Sequence, residues 1–231
     1  ILKKFIKVSQ TQQRYKKMDN IKIELIKVFG PSVLKATIPE RIVNDLNNYV
    51  DKLIVDEKRA KDQDMGHELV GDVTQELEIE HKFMQEIGWG KFLADCTSKW
   101  IEIETKKKIT KFNILSSWIV RQFENEFNPT HWHGGHISGA GFLKVPKILG
   151  KINQDKTQTK YKGGNLQFTH GARMFLSQST MTVVPKVGDF YFFPNYLMHL
   201  VYPFRDTKEE RRSISFNAKI DEDIFDVYGK K

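Results

Sequence analysis

From Lys111 onward the chain is cut into short β-like runs by Gly, Pro and Asn at regular intervals, and this punctuation constrains its fold more than any other feature. The runs are Phe112–Phe123, Ile137–Val145, Asn165–Phe168, Thr180–Val184, Asp189–Phe193, Met198–Tyr202 and Arg212–Ala218. Many short strands with turn signals between them predict an antiparallel sandwich or barrel. Upstream, Ile21–Phe29 alternates as a strand closed by Gly30-Pro31, and Ser32–Ile38 reads as its partner. Pro39 suits a first helical position, and Ile42, Val43, Leu46, Tyr49, Val50, Leu53 and Ile54 then recur as one helical stripe. Asp56–Asp64 is charged and reads as a loop. A second helical pattern runs from Lys82 to Ile103, with Phe92, Leu93, Cys96 and Trp100 on one face. Gly88 and Gly90 predict a break in it near Trp89. The expected architecture is α+β: an α-rich first half supporting a β-rich second half.

A chain of 231 residues can bury a sizeable core, and one domain is expected over 18–231, helical support at 18–110 and β core at 111–220. No apolar run reaches membrane-spanning length. Cys96 is the only cysteine, which excludes an intrachain disulfide framework and suits a reducing cytoplasm. On the helix face it reads as a small buried hydrophobe. The net charge of +8 invites a nucleic-acid reading, but +6 of it sits in residues 1–17, where Lys3, Lys4, Lys7, Arg14, Lys16 and Lys17 meet no acid. Met18-Asp19 resembles an ordinary start, so 1–17 is expected to be a solvated basic tail, an upstream extension or an expression artefact. The body gives no electrostatic reason to expect nucleic acid.

Five of the seven histidines, His131, His133, His136, His170 and His199, fall within 69 residues, and three of them occupy Thr130-His131-Trp132-His133-Gly134-Gly135-His136. Imidazole is the commonest ligand for divalent transition metals. On a strand, residues two apart project to one side, so His131 and His133 can face one ion. His199 follows the turn Pro194-Asn195-Tyr196-Leu197 and supplies a remote third ligand. Such a facial set leaves positions open for substrate, cosubstrate and oxygen. A structural zinc site would rather use four ligands, usually with cysteines. His136 has the opposite parity, which the glycine pair makes unreliable, and is the reserve ligand. His67, His81 and His170 lack such company and are expected to be structural or surface residues.

Arg211-Arg212-Ser213-Ile214-Ser215-Phe216-Asn217 alternates cleanly. Ile214 and Phe216 call for a core shared with the helices, so Arg211, Ser213, Ser215 and Asn217 should line a polar interior. A buried guanidinium with a hydroxyl two residues later suits a carboxylate ligand. A structural salt bridge is the competing reading.

With these motifs in place, the chain resembles the 2-oxoglutarate- and Fe(II)-dependent oxygenases, particularly a branch found in phages and marine bacteria with an His-x-His motif followed by a Ser-Gly strand. The matching stretches are Asn128–His133, Ile137–Leu143, Gly163–Phe168, Val187–Pro194 running to His199, and Arg211-Arg212-Ser213. Together they cover roughly 112–218. The resemblance implies a double-stranded β-helix of jelly-roll or cupin type. It also implies Fe(II) held by a His-x-Asp/Glu pair and a distal His, and 2-oxoglutarate anchored on Arg-x-Ser. Carried over, His131 and His199 hold iron, while Arg211 and Ser213 hold the far carboxylate. This sequence departs from the pattern at His133, where most relatives place an acid. His133 or His136 would then be the second ligand, or that position would be vacant.

The implied reaction couples oxidative decarboxylation of 2-oxoglutarate, with O2, to hydroxylation of a substrate the sequence does not identify. Two rivals stand beside it. One is a three-His cupin-type metalloenzyme that does not use 2-oxoglutarate, in which the Arg211–Ser213 pair would lack its ligand. The other is a non-enzymatic β-sandwich binding module or phage structural component. Lys147–Lys162 and His170–Phe175 are expected to shape the entrance, and Arg173 to be either a surface residue or a contact for an acidic substrate.

Overall fold

The computed structural model describes residues 22–27, 30–153 and 160–226. The basic tail at 1–17 and the centre of the 147–162 loop lie outside them.

The first half opens with strands β1 (Ile23–Lys27) and β2 (Ser32–Thr37) and helix α1 (Glu40–Leu53). Pro39 is the residue that caps α1, one position earlier than expected, and the predicted stripe buries Ile42, Val43, Leu46, Val50 and Leu53. The run expected to be a loop instead holds a short helix, α2 (Glu57–Asp62). Asp56 accepts from the Arg59 backbone N–H and stabilises its first turn, although only Ala60 is buried. A strand not foreseen, β3 (Gln75–Glu78), comes next. The second helical pattern divides into α3 (His81–Ile87) and α4 (Trp89–Thr105). The break is at Gly88, whose φ of +79° ends one helix and starts the other.

The second half supplies β4 (Phe112–Gln122), β5 (Asn128–His131), β6 (Ile137–Lys144), β7 (Leu166–Thr169), β8 (Thr180–Val183), β9 (Asp189–Pro194), β10 (Met198–Val201), β11 (Arg211–Ile220) and a terminal turn of helix, α5 (Glu222–Phe225). They form two antiparallel sheets: a seven-stranded one ordered β1-β2-β9-β6-β11-β4-β3 and a four-stranded one ordered β5-β10-β7-β8. This is the double-stranded β-helix, with three strands of the larger sheet coming from the first half of the chain.

Alternation assigns the two faces of the larger sheet. One carries Leu77, Ile119, Phe190, Phe192, Ile214 and Phe216, all buried against α1, α3 and α4. Rings pack densely there, Trp89 edge-on to Phe190 at 5.3 Å and Phe192 edge-on to Phe216 at 5.6 Å. Each fully buried Phe contributes roughly 1.5–3 kcal/mol. Indole N–H groups fasten the helices to the strands: Trp89 donates to Ser117 Oγ at 3.0 Å and Trp100 to Ser32 Oγ at 2.8 Å. Cys96 is buried in this layer, and burial pushes its thiol up to about 12. A thiol held so firmly protonated is inert.

The opposite face looks toward the smaller sheet. Its apolar end is a second core containing Phe142, Leu166, Phe168, Tyr191 and Phe193. Its polar end carries Glu76, Gln122, Arg211, Ser213, Ser215 and Asn217, which cross-strand register puts side by side. The site lies at this end.

Candidate metal centre and anion pocket

His131 ends β5 and faces His199 on β10 across an antiparallel pair. Strand pairing brings these two together although 68 residues separate them. His133 lies beyond the strand end, so a strand's two-residue period is not what points it inward. The turn is pinned instead by Asn195: the His133 N–H donates to the Asn195 carbonyl at 3.0 Å, and Asn195 Nδ2 donates to the His133 carbonyl at 3.1 Å. Gly135 closes the turn at φ +85°, where a Cβ would sit 2.9 Å from the Ala218 carbonyl oxygen.

One ligand nitrogen from each of His131, His133 and His199 lies within 4.8 Å of the others. His131 Nδ1 donates to the Pro129 carbonyl at 2.7 Å, and His199 Nδ1 to the Leu197 carbonyl at 2.9 Å. These bonds fix the tautomer and leave both Nε2 lone pairs free, as metal-binding imidazoles require. His133 Nε2 is 3.1 Å from His199 Nε2. Two lone pairs at that distance need a shared proton or a cation between them. Burial lowers all three imidazoles, His133 to about 3 and His199 well below its usual range, so the cluster is neutral at pH 7. Neutral imidazole is the ligating form. Nitrogens subtending a right angle at about 2.1 Å from an ion are about 3.0 Å apart. The His133–His199 spacing therefore matches two adjacent ligands of a divalent metal, and His131 offers a third nitrogen nearby.

His136 is not part of this cluster. It is buried behind the turn, stacked on Phe225 at 3.9 Å, with its Nδ1 accepting from the Ile220 N–H at 3.1 Å. The glycine pair turns it to the far side of β11. Of the other histidines, His67 and His81 are exposed and His170 is half-buried.

The three histidines line a cavity of about 280 Å³ that also meets Trp118, Asn128, Phe142, Arg211, Ser213 and Asn217. Arg211 and Arg212 are each 1% exposed and face opposite ways. Arg212 points at α1 and is fully partnered, with Glu210 at 2.9 Å, Asp51 at 2.7 Å and Asn47 Oδ1 at 3.0 Å. Arg211 points into the cavity. It donates to the Gly164 carbonyl and Gln122 Oε1, both at 3.0 Å, and to Ser213 Oγ at 3.3 Å. Among the described residues no carboxylate pairs with it, and burial alone lowers its guanidinium to about 9. A buried guanidinium without a carboxylate partner, beside a hydroxyl, has the donors to receive an anion.

Two features escaped the sequence reading. Glu76 on β3 is buried, lines the same cavity, and its Oε2 has no partner among the described residues. The entrance is formed by Glu68–Gly71 and the exposed Trp132; the described parts of 147–162 and 170–175 do not line it. Arg173 is exposed.

Residues 116–217 match the family model described as "Putative 2OG-Fe(II) oxygenase". That interval runs from β4 to β11 and contains all three clustered histidines, Arg211 and Ser213. The resemblance to these oxygenases holds, and their cofactors are Fe(II) and 2-oxoglutarate. No curated protein matches the chain in sequence. Among solved structures the chain is similar to a Pseudomonas putida prolyl-4-hydroxylase, with a TM-score of 0.52 at 14% identity over 80% of this chain and 91% of that one. It is equally similar to AviO1 from Streptomyces viridochromogenes Tue57, with a TM-score of 0.52 at 11% identity over 87% and 90%. The non-heme alpha ketoglutarate dependent epimerase SnoN follows, with a TM-score of 0.50 at 12% identity over 80% and 76%. A hydroxylase and an epimerase on one scaffold show that the shared fold does not choose the reaction.

Proposed function

We propose that this chain, whose residues 116–217 match the 2OG-Fe(II) oxygenases, is a hydroxylase that holds Fe(II) on His131, His133 and His199 and 2-oxoglutarate on Arg211 and Ser213. The observation that carries the reading is Arg211: a fully buried guanidinium, without a carboxylate partner among the described residues, lining the cavity that holds the three imidazoles. In a three-His enzyme indifferent to 2-oxoglutarate, that charge would be buried for nothing, at a cost of several kcal/mol.

Fe(II), when bound, would activate O2, which supplies the oxidising equivalents: one oxygen atom would go to 2-oxoglutarate, released as succinate and CO2, and the other to the hydroxylated substrate. The chain's own residues bind and orient. Arg211 offers a planar fork and Ser213 a hydroxyl to the distal carboxylate. The Gly164 carbonyl and Gln122 hold the fork in place. Trp118 and Phe142 form walls that limit water. Three neutral imidazoles leave the full charge of the metal in the site, where a carboxylate ligand would cancel part of it. The positive potential from metal and Arg211 together favours a dianionic cosubstrate. No helix of the described residues is long and apolar enough to cross a membrane; the lone, buried Cys96 suits a cytoplasmic setting.

The test is an anaerobic titration of metal-free protein with Fe(II) and then 2-oxoglutarate, followed by visible charge-transfer absorption. A band that requires both additions, and disappears in Arg211→Met and in His133→Ala, is the expected result. Iron binding without any response to 2-oxoglutarate would favour the three-His enzyme. No iron binding would leave a binding or structural protein.

A further inference from the structure

The cavity contains two buried acceptors that no described residue satisfies. Glu76 is 3% exposed, and its Oε2 has no hydrogen-bond partner among the described residues. Asn128 Oδ1 is likewise buried and unpartnered. Both side chains line the cavity that contains the three histidines and Arg211.

Their placement follows from the strands that carry them. Leu77 turns into the helical core, so its neighbour Glu76 must face the cavity, opposite Val120 on β4. Asn128 begins β5, the strand that ends at His131. The two meet at Gly71: a Cβ there would lie 2.2 Å from Asn128 Oδ1 and 3.1 Å from Glu76 Oε1. A side chain at 71 would collide with Asn128, so only glycine fits against the two groups. Arg121, the nearest cation along β4, is occupied by Gln75 at 2.5 Å and Glu210 at 2.9 Å and does not neutralise Glu76.

Leaving a carboxyl and an amide oxygen buried without donors is unfavourable, because each has given up its hydrogen bonds to water and gained none. Such groups are explained most simply by a ligand that supplies the donors. From this we infer that Glu76 and Asn128 form a substrate subsite for a cationic nitrogen group bearing several N–H donors, a guanidinium or primary ammonium, whose carbon chain then extends toward the histidines. The inference rests on the proposed function for what happens at those carbons. The recognition itself does not.

Charge sorts the cavity into two halves. Arg211 and Ser213 take an anion at one side, while Glu76, with Asp64 behind it and Glu68 at the entrance, takes a cation at the other. Burial and the neighbouring Asp64 raise the Glu76 carboxyl to about 7, and a bound cation would draw it back toward the ionised form. The exposed indole of Trp132, 65% accessible at the entrance, offers a face over which a guanidinium can pass.

The experiment is calorimetric titration of the metal-free protein with agmatine, with pentylamine, and with the uncharged pentanol as control. A second arm uses a short peptide with one central arginine. The Fe(II)–2-oxoglutarate absorption band is recorded in parallel. Saturable agmatine or pentylamine binding that pentanol does not reproduce, weakened at least tenfold by Glu76→Gln and by Asn128→Leu, is the expected result. Tighter binding of the peptide than of agmatine would assign the group to a polypeptide side chain, and the reverse to a small free amine; both support the subsite. Wild-type protein that shows the absorption band but binds none of the cationic probes overturns the subsite and leaves the oxygenase reading intact. Binding that depends on Glu76 without the band does the opposite. Binding that Glu76→Gln leaves unchanged also overturns the subsite.

Discussion

His133 and His199 approach to 3.1 Å between their Nε2 atoms, closer than either neutral ring would choose without something shared between them. In the proposed site a metal would satisfy both, and His131 would complete the set. Anaerobic Fe(II) at a hundredfold excess over its dissociation constant is expected to stabilise the fold by about 2.7 kcal/mol. For a chain of this size that raises the thermal midpoint by roughly 5–10 °C. His199→Ala should abolish the shift. His136→Ala should keep it while lowering the starting midpoint, since its ring stacks on Phe225 and accepts from Ile220. Loss of the shift in His136→Ala would count against this assignment of the ligands.

Arg211 and Arg212 are adjacent, equally buried and oppositely employed, and a crossed pair of variants separates their roles. Arg212→Met removes one partner from a buried network with Glu210 and Asp51, which should cost about 3–5 kcal/mol in urea unfolding. Arg211→Met leaves no carboxylate stranded, so relief of desolvation offsets part of the lost hydrogen bonds and the stability cost should be clearly smaller. Its effect appears on 2-oxoglutarate, where losing the partner of a bound carboxylate costs about 2–5 kcal/mol, at least roughly thirtyfold in affinity. Equal losses of stability in the two variants would show that Arg211 is structural.

Gly139 and Gly141 on β6 let the aromatic layer close onto the sheet. A Cβ at 141 would lie 2.3 Å from the Phe190 ring and 2.8 Å from the Asp189 carbonyl oxygen. Backbone cannot give way as a flexible side chain can. Gly141→Ala should therefore destabilise by about 1–3 kcal/mol, measured as a fall in the denaturation midpoint. A neutral result would mean that β6 and β9 can separate at little cost.

The residues that disclosed themselves in the sequence are those whose signal is chemical or strictly periodic. The His131–His133 pair, the distal His199 and the alternating Arg211–Asn217 run each stand out by residue type and spacing, and β11 keeps the predicted faces for Ile214 and Phe216. The strand β3 did not stand out because Gln75-Glu76-Leu77-Glu78 has one apolar residue and no alternation to detect; its pairing with β4 is what makes it a strand. With β3 went Glu76, since a glutamate among glutamates carries no mark of burial. The helix α2 was hidden for the same reason, being capped by Asp56 and exposed nearly all round. The composition of the lysine-rich loop marks it only as surface; sheet edges decide which loops border a cavity, and that order is tertiary information. His136 was a reserve ligand only because the turn at Gly134-Gly135 hides which way the chain leaves it.

Glu76 also gives a pH dependence whose sign can be worked out in advance. Its carboxyl rises from 4.5 to about 7 on folding, burial being the larger cause and Asp64 the smaller. Between those values the folded state holds a proton that the unfolded chain has released, so stability falls as pH rises through the window and levels off above it. Below the unfolded value both states are protonated and the penalty vanishes. Glu76→Gln removes the ionisation while keeping the shape of the protonated acid. The variant should match the parent below about pH 4 and exceed it by about 1–3 kcal/mol at pH 8; the range stays below the full conversion of the shift because a carboxyl in a cavity open to the surface is partly screened. Taking the difference between the two proteins cancels every other titrating group that the substitution leaves alone. Urea unfolding of both in metal-free buffer across that range is the measurement. A difference independent of pH would mean that Glu76 is already ionised or already partnered in the folded protein, and would remove the unsatisfied acceptor on which the cationic subsite is built.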